Sequence, residues 1–190
     1  MTLDEMISKT DKRKAGFTLM MEHLDKFENP FIVETGSIRP ESTYEGDGMS
    51  TLIFDEYVRT HGGTFYSVDI NPDNTAFAKS HCPNTNVHTG DSVPFLYEFK
   101  EQIDLLYLDS YDFDLKNFHP SAFHHIKELL AAFPKLKKGS MIVIDDNFLV
   151  TTEQDTENVF EAGKGTYVKE FMDNIGNQRR FIGHQWIWIL

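Results

Sequence analysis

Short apolar runs recur along the chain, and each is followed by an acidic or turn-forming cluster. Phe31-Ile32-Val33 leads into Glu34-Thr35-Gly36-Ser37. Thr64–Val68 ends at Asp69, Val87-His88-Thr89 at Gly90-Asp91-Ser92, Ile103–Leu108 at Asp109, and Ser140–Ile144, opened by Gly139, at Asp145-Asp146. Runs of this length and composition read as strands. Between them the pattern turns helical, over Met49–His61 up to the Gly62-Gly63 stop, over Asn74–Ser80 after Asn71-Pro72-Asp73, and over Pro120–Phe133. Val93–Phe99 reads as a helical turn. In residues 1–28, Phe17, Met20, Met21, Leu24 and Phe27 share one helical face. The tail holds the Gly163-Lys164-Gly165 loop, a helix around Tyr167–Ile175 and an apolar closing strand, Arg180–Leu190. Near-continuous apolar strands alternating with helices predict an α/β fold, a doubly wound parallel sheet covered on both faces.

Composition narrows the picture. The 190 residues fit one domain, with residues 1–28 as a helical cap, 30–150 as the core and 151–190 as a closing helix and strand. The single cysteine, Cys82, excludes an internal disulfide framework. A formal net charge of -12 argues against nucleic acid and against anionic membranes as partners. The N-terminus is charged from Asp4 onward and lacks a signal core, and no apolar run reaches the roughly 18 residues of a membrane span. A cytoplasmic protein is expected.

The acids are informative by position. Glu34, Asp69, Asp91, Asp109, Asp145 and Asp146 all follow strands, and in open α/β sheets ligands bind at the carboxyl ends of the strands. Six carboxylates on one rim would repel a pyrophosphate, and the GxGxxG fingerprint of dinucleotide sites is absent. The rim suits a ligand with hydroxyls, an ammonium and a positive centre. Asp69 is placed for a ribose diol, Glu34 and the Gly36/Gly46/Gly48 loop for an amino-acid moiety, and Asp91-Ser92 for an adenine edge.

These residues fall in motifs that resemble the class I S-adenosylmethionine-dependent methyltransferases over residues 30–150. The matching stretches are IVETGS…GDGMST, FYSVDINPD, HTGDSV, IDLLYLDSYD and PKLKKGSMIVIDDN. Gly90-Asp91-Ser92, Leu108-Asp109 and Asp145-Asp146-Asn147 resemble the subset that includes catechol-type and macrolide or sugar O-methyltransferases. The resemblance implies a Rossmann-like, mostly parallel seven-stranded sheet with an antiparallel C-terminal strand. It implies cofactor binding by Glu34, Gly36, Gly48, Ser50, Asp69, Ile70, Asp91 and Ser92. The stretch Ile38–Glu45 interrupts the glycine-rich first loop of the family, and Arg39 within it is either a carboxylate clamp or a solvated loop residue.

The resemblance also implies Mg²⁺, held by Asp109, Asp145 and Asp146, which would bind hydroxyls of the acceptor. Aligning the Asp-Asn dipeptide instead gives Asp146 and Asn147. The lysine base of the catechol-type enzymes has no counterpart after Asp109, so Asp112 is the first candidate base and His119 the next, while His124 and His125 read as structural. The basic Gly163-Lys164-Gly165 loop either closes over the acceptor or contacts an anionic group of it, or is a simple connector. The expected acceptor is a small hydroxylated molecule, a sugar or secondary metabolite, and a homo-oligomer is an open option. The competing reading is a non-catalytic binding or regulatory module on the same fold, against which the intact Asp69 and Gly90-Asp91 speak.

Overall fold

A computed structural model describes residues 1–114, 116–152 and 155–190, with side chains described outside 150–159. The N-terminal stretch is two helices rather than one. Helix α1 (Leu3–Ser8) is started by a Thr2/Glu5 capping box and ends at Lys9. A 3₁₀ turn over Asp11–Arg13 then leads into α2 (Lys14–Leu24). Asp11 sits at φ 45°, a left-handed backbone that breaks the helix without a glycine or proline to announce it. The predicted face still packs, with Phe17, Met20, Met21 and Leu24 buried and Phe27 partly so.

Five parallel strands follow: β1 (Phe31–Thr35), β2 (Thr64–Asp69), β3 (Thr85–Thr89), β4 (Ile103–Leu108) and β5 (Leu136–Ile144). They alternate with α3 (Ser50–His61), α4 (Pro72–His81), α5 (Ser92–Glu98) and α6 (His119–Ala132). The chain then forms β6 (Asn147–Thr152), β7 (Asp155–Gly163), α7 (Thr166–Asn174), β8 (Phe181–Ile182) and β9 (Trp186–Ile189). The seven-stranded sheet runs β3-β2-β1-β4-β5-β9-β8, with β9 antiparallel to β5. This is the expected Rossmann-like arrangement, and its strand order reverses between β1 and β4.

Strand β4 shows why the pattern works. It is buried throughout, and its side chains alternate between two cores. Leu105 and Tyr107 pack with Phe17, Phe54 and Phe65. Leu106 and Leu108 pack with Leu129, Met172 and Trp188. Its polar exception, Asp104, accepts from Phe31 N at 2.9 Å and pairs with Lys137 at 2.8 Å, so its burial is compensated.

Three boundaries differ from expectation. Strand β5 starts at Leu136, and Gly139 lies inside it rather than opening it. The closing segment is a hairpin, β8 and β9, not one strand. The β6–β7 hairpin, outside the main sheet, was not predicted at all.

Candidate active site

The cleft is built from the strand ends outward. Gly36 leaves β1 at φ 86°, where a Cβ would lie 2.6 Å from the Asp109 carbonyl oxygen, so only glycine fits the turn. Ser37 N then donates to Asp69 Oδ2 at 3.0 Å. Asp69 also accepts from Asn71 N at 2.7 Å and from Asn74 Nδ2 at 3.1 Å. The turn after β1 is therefore pinned to the acid after β2. These residues line a cleft of about 380 Å³, which Ser50 and the exposed Ile70 also line. The volume lies within the roughly 300–1,000 Å³ range of small-molecule sites.

Glu34 does not reach this cleft. It is fully buried beneath the turn, where Oε2 accepts from Thr51 Oγ1 and Ser67 Oγ, each at 2.7 Å. Burial pushes its carboxyl up to about 7, against the pull of the Ser50, Ser67 and Thr51 hydroxyls. The sequence assigned it to cofactor binding, and the structure makes it a support for the loop. A raised carboxyl stabilises the fold fully below its unfolded value and loses that contribution as pH rises through the folded one. Between pH 5 and 8, Glu34 is expected to cost the wild type about 2–3 kcal/mol relative to Glu34→Gln. His125, lowered to about 4 mainly by burial, titrates with the opposite sign in the same window, so the difference between the two proteins is the quantity to measure by urea denaturation. A pH-independent difference would contradict the assignment.

On the far side of the cleft the structure brings Asp109, Asp145 and Asp146 together, and it sets against them Arg13 and His184, which the sequence did not place there, and Lys164 of the loop expected near the acceptor. Arg13 is 3% exposed and puts Nε 2.6 Å from Asp145 Oδ2 and Nη2 3.1 Å from Asp146 Oδ1. Lys164 Nζ pairs with Asp109 Oδ1 and lies 3.0 Å from Asp146 Oδ2. His184 Nε2 lies 2.9 Å from Asp146 Oδ1, and Tyr107 donates to Asp145 Oδ2 at 2.9 Å. Burial would lower the Lys164 ammonium, but the carboxylates of Asp109 and Asp146 outweigh it and push it up. Burial and its acidic neighbours push Asp109 up, while Lys164 pulls it back. Lys164, which also faces Asp146, stays an ammonium and pairs with Asp109. Asp146 is held low, since His184, Lys164 and Arg13 overcome its burial.

This donor set does not fit a resident Mg²⁺. Asp145, Asp146 and His184 do offer ligand atoms within 4.8 Å of one another. However, Arg13, Lys164 and His184 already occupy the carboxylates, and among the described residues only Asp109 Oδ2 meets no donor. The alternative ligand Asn147 is also committed. Its Nδ2 donates to Ile144 O at 2.8 Å and its Oδ1 accepts from Gly165 N at 2.8 Å.

Other assignments divide. Asp112 lines the cleft but is exposed and tied to Arg39 at 3.3 Å. Arg39 also lines it and is matched by Asp47 at 2.9 Å, so it is not a free clamp. Gly48 packs against Arg13 behind the cleft; at φ 81° its Cβ would lie 2.6 Å from Arg13 Cδ. Asp91 caps α5 through Val93 N at 2.9 Å, and Ser92 bonds His124 at 3.1 Å; neither lines the cleft. His119 bonds Tyr167 Oη at 2.6 Å in a separate groove over α6 and α7. His124 and His125 lie outside the cleft on α6: His124 lies 3.3 Å from the buried Glu128, which in turn accepts from Ser110 at 2.6 Å behind Asp109.

The methyltransferase-domain family matches residues 45–147, more than half of the chain. No curated protein sequence matches. A structure of MycE methyltransferase from the mycinamycin biosynthetic pathway, in complex with Mg and SAH, superposes with a TM-score of 0.63 and 17% identity, over 100% of this chain and 54% of that one. This chain thus spans about half the length of MycE. CalS11, a TDP-rhamnose 3'-O-methyltransferase of calicheamicin biosynthesis, gives 0.57 and 15%, over 94% and 80% of the two chains. Fibrillarin of Aeropyrum pernix, with natively bound S-adenosyl-L-methionine, gives 0.52 and 12%, over 90% and 74%. The fold is that of the class I S-adenosylmethionine-dependent methyltransferases. The chain belongs to the methyltransferase-domain family.

Proposed function

We propose that the protein transfers a methyl group from S-adenosylmethionine to a hydroxyl of a small molecule, a sugar or a secondary metabolite. The observation that carries this is the cleft itself. One half presents the Gly36 turn, Ser37 and Asp69; the other presents Asp109, Asp112, Asp146 and Lys164.

When bound, the cofactor supplies a methyl group already activated by its sulfonium. The chain then has to position, exclude water and manage one proton. Asp69 would accept hydrogen bonds from the ribose diol, with Ile70 as an apolar edge beside it. Gly36 lets the backbone pass close to the ligand. The acidic rim offsets the positive sulfonium. On the acceptor side, Asp109 Oδ2 is the open acceptor for the hydroxyl proton, and Asp112 is a second, more exposed one. No step is assigned to Mg²⁺, because Arg13, Lys164 and His184 hold the carboxylates it would need.

The likeness to MycE and CalS11 supports a sugar-bearing acceptor. Incubation with S-adenosylmethionine and a panel of sugars and polyhydroxylated metabolites should release S-adenosylhomocysteine together with an O-methylated acceptor. Release with RNA or protein acceptors alone would contradict the small-molecule reading.

Membrane crossing plays no part in this proposal. Among the described residues, no helix is long and apolar enough for it.

A further inference from the structure

The misfit of the metal site has a positive side. We propose that the acceptor half of the cleft is metal-independent: the Lys164 ammonium, pinned between Asp109 and Asp146, holds the place of a divalent cation and donates to the acceptor's hydroxyl oxygen. This rests on the methyltransferase reading above and names how that same site takes its acceptor.

The lysine is built in rather than draped over the acids. Its backbone N donates to Asp146 O at 3.2 Å, and the flanking Gly165 N donates to Asn147 Oδ1 at 2.8 Å. Gly163 N is held by Thr166 Oγ1 at 3.0 Å, at the start of α7. The side chain is 3% exposed, yet it lines the cleft beside Asp109 and Ser110. A lysine ammonium has three donors. Asp109 and Asp146 take two, and the third meets only a long 3.4 Å contact with the Asp109 carbonyl. An acceptor hydroxyl could displace that contact and donate in turn to Asp109 Oδ2.

Charge points the same way. Three carboxylates face two permanent cations, Arg13 and Lys164, with His184 beside them. At most one net negative charge remains to attract a doubly charged ion, and the two cations repel it. Removing the lysine would leave two nearby carboxylate groups with unsatisfied oxygens, of the kind hard divalent cations take.

Manganese binding tests this directly on the full chain, with Mn²⁺ alone followed by electron paramagnetic resonance. The wild type is expected to bind no Mn²⁺ at millimolar concentration. Lys164→Ala is expected to bind it at least about tenfold more tightly than the wild type, with a melting temperature that rises with Mn²⁺ and falls back with EDTA. Lys164→Gln serves if the alanine variant does not fold. Micromolar Mn²⁺ binding by the wild type would overturn the proposal, and so would a folded variant with no gain over the wild type. A parallel S-adenosylhomocysteine titration of the wild type in EDTA separates the two levels. Absent binding there counts against the methyltransferase reading, whereas the manganese result counts against Lys164 alone.

Discussion

Replacing Arg13 by methionine is expected to remove about 3–5 kcal/mol of folding stability, because it leaves a buried charge without its partner. Asp145 is fully buried, and Arg13 Nε at 2.6 Å is its only permanent countercharge within bonding distance among the described residues. Tyr107 Oη and Asp146 N, both at 2.9 Å, would still bond it, but neither carries a charge. Arg13 also donates from Nη1 to Gly46 O at 2.7 Å, so the same substitution frees the loop that rims the cleft. Urea denaturation reads the loss. The double variant Arg13→Met/Asp145→Asn should recover much of it, since an amide needs no countercharge. A loss below about 1 kcal/mol for the single variant would place Arg13 among ordinary surface arginines.

The second large effect concerns the cofactor. Asp69→Ala is expected to weaken S-adenosylhomocysteine binding by about 100-fold or more. Two charge-assisted hydrogen bonds to a ribose diol are worth about 3 kcal/mol together at the low end of their range, and 1.4 kcal/mol is a factor of ten. The substitution also releases Ser37 N and Asn74 Nδ2, so the apo protein should melt somewhat earlier. Asp69→Asn keeps the shape and one acceptor oxygen, and should fall between. The thermal shift caused by S-adenosylhomocysteine measures both variants. An undiminished shift for Asp69→Ala would remove the residue from the site.

Legibility in the sequence followed physical range. Strands β1 and β4 were readable because they are buried almost throughout, which favours apolar runs, and because each ends in an acid or a turn. The first half of β5 was not, because Leu136-Lys137-Lys138-Gly139 is only partly covered and carries polar residues. The β6–β7 hairpin stands outside the main sheet, so nothing required it to display the same pattern. The break before Asp11 left no mark, since the φ that makes it belongs to an aspartate.

The site divides the same way. Its acids could be found because strand ends place them on one rim. Arg13 and His184 could not, since they come from the cap and the β8–β9 turn, while the Gly163-Lys164-Gly165 loop was legible as a basic loop near the acceptor but not as a partner of these acids. Arg13 and Asp145 are 132 positions apart, and no spacing announces such a pair. The sequence showed the three acids without these partners, and the family resemblance implied a metal for them. The structure supplies the balance from within the chain.

The cleft as a binding site for S-adenosylmethionine is the claim on which the rest depends. Titration calorimetry of S-adenosylhomocysteine into the wild-type protein, in EDTA, tests it most directly. The account predicts one site per chain with a micromolar dissociation constant. No heat at millimolar ligand, from a protein shown to be folded, would contradict it.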